Sequence, residues 1–139
     1  MAGPGANPAR GRYPSSAVRP REGSLGEHGH SSSGFQRSLE RGNVVAAELA
    51  LREMRHVTLE DALAFTALVA LRDRPRARRM AVRWLERWLD ESPESDIEQA
   101  AVVTGLLAAL GGNRHHWAVA CLEDMAERAA EASRRSGRR

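Results

Sequence analysis

From Phe35 to about Ser133, apolar residues recur three and four positions apart, and no stretch alternates with period two. This constrains the chain more than any other feature. A surface that must turn inward every 3.6 residues belongs to a helix and cannot be laid into a pleated sheet. Polar and conformationally special residues cut the periodic region into pieces: "GN" at 42–43, Pro75, "SPES" at 92–95 and "GGN" at 111–113. Two segments open with capping-box spacing, Thr58 with Asp61 and Asp96 with Gln99. The expectation is an all-α protein of five or six helices, near 36–41, 44–55, 59–73, 76–91, 97–110 and 114–132.

The ends differ in kind. Residues 1–34 are rich in Gly, Pro, Ser and Arg and too poor in apolar side chains to offset the entropy of ordering, which predicts a disordered tail. The helical domain is expected at 35–133, followed by a basic tail at 134–139. All 21 basic residues are arginine, and isoleucine occurs once, at Ile97. That bias has the character of GC-rich coding, so arginine content alone says little about nucleic acid. Its distribution says more: residues 35–133 hold 13 arginines against 16 carboxylates, so the basic balance comes from the two ends. One cysteine, Cys121, allows no internal disulfide. The start does not resemble a signal peptide, and the apolar run at 100–112 is shorter than the ~20 residues of a membrane span. A soluble, cytoplasmic protein is expected, with no membrane partner.

Two segments, "LEDALAFTALVAL" and "IEQAAVVTGLLAAL", are apolar almost all the way round and are expected to lie sandwiched between neighbours. The segment after each is amphipathic, which suggests a duplication. "MAVRWLERW" at 80–88 overlays "WAVACLEDM" at 117–125, and the preceding helices align through Glu60/Glu98, Ala62/Ala100, Thr66/Thr104, Leu68/Leu106 and Ala70/Ala108. A worn third copy falls at 46–54. In this register Trp84 takes the place of Cys121, and Trp88 that of Met125. Both indoles are therefore expected in the core rather than on a binding surface.

The central unit resembles a degenerate tetratricopeptide-type hairpin: Phe65, Leu68, Ala81, Leu85 and Pro93 stand at positions of that pattern, while Val69 and Arg72 depart from its Gly and Tyr. The following unit keeps Leu106, Ala118 and Leu122. The resemblance implies tandem antiparallel helical hairpins, as a short solenoid or a compact bundle, presenting a groove to a partner peptide. The chain also resembles small Ala- and Arg-rich helical proteins of high-GC actinobacteria, a likeness that carries no activity.

Arginines crowd one inter-helix turn, at Arg72, Arg74, Arg76, Arg78 and Arg79, and continue as Arg83 and Arg87 at four-residue spacing. Like charges so spaced repel on a helix. Two readings follow. Either Asp73, Glu86 and Asp90 pair with them as an ordinary solvated face, or the strip docks an anionic partner through forked guanidinium groups. On the second reading Arg72, Arg74, Arg76, Arg79, Arg83 and Arg87 bind a protein with an acidic segment, or less readily a nucleic-acid backbone. A reading head for DNA is disfavoured, because the helix from Arg76 is too amphipathic to lie free in a groove.

The sequence does not point to an enzyme. There is no lysine for a Schiff base or P-loop, no G-x-S-x-G elbow and no H-E-x-x-H. His115, His116 and Cys121 lack the one-turn spacing of paired metal ligands, and Tyr13, His28 and His30 fall in the tail. No cofactor is expected. The function expected is a non-catalytic interaction or scaffold module, with a nucleic-acid-associated regulator as the alternative and a subunit that self-associates through its apolar end faces as a third class.

Overall fold

The computed structural model describes residues 26–138, and their side chains from residue 32 onward. It is all-helical among these residues: α1 (Gly26–Glu40), α2 (Val44–Glu53), α3 (Leu59–Arg72), α4 (Arg74–Glu91), α5 (Ile97–Ala108), a 3-10 turn (Ala109–Gly111) and α6 (His115–Gly137). Of the tail expected at 1–34, residues 1–25, with Tyr13, lie outside the described residues, as do the side chains of His28 and His30.

The breakers act as their chemistry requires. Gly42 takes the left-handed φ of 69°, while the amides of Gly42 and Asn43 return to the carbonyls of Leu39 and Ser38, which closes α1. Asn43 then caps α2, accepting from the Ala46 amide at 3.0 Å. Both capping boxes form: Thr58 and Asp61 exchange bonds of 3.0 and 3.1 Å, and Asp96 and Gln99 bonds of 2.8 and 3.1 Å. Pro75 does not separate two helices; it sits in the first turn of α4, where a missing N–H costs nothing. Asp73 alone joins α3 to α4.

Helix ends are where expectation and structure part. α1 begins at Gly26 rather than near 36, so the boundary placed at 34–35 falls inside a helix. Phe35 is fully buried and Ser38 bonds back to the Gly34 carbonyl at 2.9 Å. An anchored turn of this kind lets helix propagate backwards at little cost. α6 likewise runs through the start of the expected basic tail, because no breaker precedes Gly137 and Arg134 and Arg135 suit a helix C-terminus.

α3 organises the molecule. One side of it gives Phe65, Leu68 and Val69 to a core shared with Phe35 of α1 and Ala47 of α2. The other gives Leu59, Leu63, Ala67 and Ala70 to a larger core built with Trp84 and Trp88 of α4, Val103, Leu106 and Leu107 of α5, Leu110, and Ala118, Leu122, Ala126 and Ala129 of α6. α3 is apolar all round because it serves two cores, and it packs against α4, α6 and α2. α5 does not follow suit. Only Val103, Leu106 and Leu107 are buried, and Ile97, Ala101, Val102, Thr104, Gly105 and Ala108 face outward. The expectation that α5 is sandwiched is therefore corrected. The element that would cover its second face, as α1 and α2 cover α3, is absent from the described residues.

The matched copies also differ in rotation. On α4 the row Trp84, Trp88 is buried; on α6 the buried row is Ala118, Leu122, Ala126, while Cys121 and Met125 are half-buried beside it. Aligned positions thus sit about 100° apart around their helices. Both tryptophans nonetheless lie in the core, 2% and 3% exposed. Among the described residues no helix is long and apolar enough to cross a membrane.

Candidate partner-binding surface

The predicted arginines separate by helix geometry into engaged and free groups. α4 turns Trp84 and Trp88 inward, so positions 78, 79, 82, 83, 86, 89 and 90 face out and 76 and 87 lie on its flanks. The flanking residues are engaged. Arg76 donates to Glu48 of α2 at 2.8 Å and lies over the Phe65 ring at 5.6 Å, tying α4 to α2 across the smaller core. Hydrogen bonding from Arg76 holds the Glu48 carboxyl below its ordinary range, and the same bond raises the guanidinium. Arg87 donates to Glu91 at 2.7 Å and to the Val57 carbonyl at 2.6 Å, so it fastens the loop before α3. Arg74 donates to the Gly111 carbonyl at 2.9 Å. The Arg72 guanidinium lies over Gly42, where an added Cβ would come within 2.5 Å of it.

On the outward face of α4, Arg79 and Arg83 are exposed with no carboxylate within salt-bridge distance among the described residues; Arg72 and Arg74, on either side of the α3–α4 turn, are exposed and without a carboxylate partner as well. Arg78, one of the arginines that crowd the turn in sequence, is exposed beside Arg79 and Arg83. Asp73, Glu86 and Asp90, the carboxylates expected to neutralise the strip, form no salt bridge with it among the described residues: Glu91, one position beyond Asp90, takes Arg87, and Glu48, far away in sequence, takes Arg76, with Asp73 acting on Arg76 only through its charge. Nothing in local spacing indicates that Glu48 would be the partner, since α2 and α4 meet only after folding. The same face carries exposed Val82 and Leu89, at 49% and 41%, and ends in Glu86 and Asp90. The result is a strip that is basic towards the start of α4 and acidic towards its end, with Val82 set among the arginines and Leu89 between the carboxylates. No acidic residue stands in the first turn of α4, and Asp73 at its N-cap makes no side-chain cap bond.

Elsewhere, a groove of about 570 Å³ opens between the end of α4, the loop after it and the second half of α6, with Glu91, Glu94, Arg128 and Arg135 among its walls. Trp88 forms part of its floor, and its indole N–H has no acceptor among the described residues. By contrast Trp84 donates to the Leu59 carbonyl at 2.8 Å. His115 and His116 pack edge to face, and Cys121 is half-buried against the larger core. Among the described residues no group of three His, Cys, Asp or Glu side chains is placed to hold a metal ion. No protein-family model, curated protein or solved structure matches the chain.

Proposed function

We propose that the protein is a cytoplasmic, non-catalytic interaction module that holds a segment of another protein on the outer face of α4. The observation that carries this reading is the division of the arginines of α4: Arg76 and Arg87 on its flanks are used to hold the fold together, whereas Arg78, Arg79 and Arg83 are left exposed, Arg79 and Arg83 at a repelling four-residue spacing with no salt-bridge partner among the described residues. Repulsion of that kind, with no structural return, is expected where an anionic partner supplies the compensation. The partner inferred is an amphipathic peptide with an acidic stretch. Val82 and Leu89 offer it apolar contact, and Glu86 and Asp90 on the same face disfavour a continuous phosphate backbone.

The tandem-hairpin reading goes with this one. Its support is that α3–α4 and α5–α6 each start at a capping box, and that α3 lies against α6, as in a closed bundle of two hairpins. The test is affinity capture by the full chain and by an Arg79→Glu/Arg83→Glu variant. The substitutions exchange one exposed like-charge pair for another, so the variant's stability should lie within about 0.5 kcal/mol of the wild type. Loss from the variant of captured proteins that carry acidic segments is the expected result. Equal capture by both proteins would remove this face from the reading. Retention on duplex DNA that falls steeply with salt, and only for the wild type, would assign the face to phosphate instead.

A further inference from the structure

We infer that the outward face of α5 is the interface of a two-fold symmetric homodimer, in which α5 packs antiparallel on α5 of a second copy. The face has the composition of an interior helix but no interior to occupy. Ile97 and Val102 are 85% and 55% exposed, and Ala101, Thr104, Gly105 and Ala108 complete the surface. No charged residue occurs from Gln99 to Asn113, whereas α2, α4 and α6 all carry charges on their exposed sides. Even the one hydroxyl is closed off: Thr104 donates to the Ala100 carbonyl at 2.8 Å and so presents its methyl group. The aligned Thr66 makes the same bond, to Ala62 at 2.7 Å, on the buried surface of α3.

Gly105 fits this reading. It lies mid-helix, where glycine is the poorest residue after proline, and a Cβ there would meet nothing within 4 Å. Nothing within the protomer requires it to be small. Close approach of a second helix does, and Ala101 and Ala108 flank it at the spacing that widens such a contact.

Charge selects both the occupant and the direction. Glu94, Asp96 and Glu98 surround the start of α5; Arg74, bonded to the Gly111 carbonyl, and Arg114, stacked 5.6 Å over Trp117, surround its far end. A parallel mate would set acid against acid. An antiparallel copy crossing near Thr104 and Gly105 brings each Glu98 beside the other protomer's Arg74 and Arg114, and each Ile97 over the small residues Gly111 and Gly112. A surface whose two ends complement each other about its own midpoint is what an isologous interface requires. Only one helix per protomer takes part, roughly 22 Å from Ile97 to Gly111 at 1.5 Å per residue, so the contact is small and dissociation on the order of micromolar is expected.

The inference does not rest on the α4 reading, and the test leaves Arg79 and Arg83 untouched. Sedimentation equilibrium of the full chain from about 1 μM to about 1 mM should show the mass climb from 15.2 kDa towards twice that value. Gly105→Glu replaces a poor helix former with a good one, so the helix content should be kept, while like charges at the dyad should weaken association at least about 100-fold. Glu98→Arg should also weaken it, and adding Arg74→Glu and Arg114→Glu should restore it, a recovery that mere damage to the fold would not give. A wild-type mass that stays at 15.2 kDa throughout overturns the inference and leaves residues 1–25 or another protein to cover the face. A dimer that survives Gly105→Glu overturns it as well, by placing the interface elsewhere.

Discussion

Replacing each core tryptophan in turn by phenylalanine tests the packing at the level of single atoms. Trp84 and Trp88 sit one turn apart on α4 and are buried almost equally. The smaller ring therefore costs each site a similar amount, about 1–2 kcal/mol from the apolar area no longer buried. The indole N–H groups differ. That of Trp84 donates to the Leu59 carbonyl at 2.8 Å, at the mouth of α3, a bond worth about 1 kcal/mol net. That of Trp88 has no acceptor among the described residues, and an unmade bond of this kind already costs the folded state about 1–3 kcal/mol. Trp84→Phe should then destabilise by about 2–3 kcal/mol, while Trp88→Phe should be close to neutral, because losing the orphaned donor offsets the lost area. The separation of about 2 kcal/mol corresponds to roughly 10 °C in melting temperature for a domain of this size. Urea unfolding followed by far-ultraviolet circular dichroism in dilute solution measures both variants without relying on tryptophan emission. If Trp88→Phe costs as much as Trp84→Phe, the donor at position 88 has an acceptor after all and the account of that end of the core fails.

Two glycines should respond in opposite directions to alanine. Gly42→Ala places a Cβ on a left-handed residue beneath the Arg72 guanidinium and should cost about 1 kcal/mol, whereas Gly105→Ala in dilute solution should stabilise by about the same amount, both read from denaturant midpoints. Since Arg76 holds the folded-state pKa of Glu48 below its ordinary value of 4.5, the folded chain takes up this proton less readily than the unfolded one. The pair's contribution is thus complete above about pH 5 and is lost as pH falls through the lowered value, so Glu48→Gln should flatten the acid limb of stability against pH and leave its alkaline limb unchanged. A Glu48→Gln profile parallel to that of the wild type would show that the pair contributes nothing.

How much of this was legible from the chain varies with the range of the interaction concerned. Gly42, the Thr58 and Asp96 caps and the inward stripe of Trp84 and Trp88 rest on bonds and periodicities within a few residues, and each stands where local chemistry placed it. The helix from Gly26 was missed because Phe35 anchors it from beyond the polar stretch that precedes it. The candidate surface was half visible. Arginine spacing pointed to α4, but Arg76 leaves the strip only because Glu48, 28 residues earlier, comes to lie beside it.

The clearest contrast is between α3 and α5, whose sequences are apolar all round and align residue by residue. Composition determined that both are helices with two faces to cover. Only the tertiary structure decided that α1 and α2 cover the second face of α3 while none of the other described elements covers that of α5. Periodicity records that a side chain avoids water, and it carries no information about which surface, of the same chain or another, excludes that water.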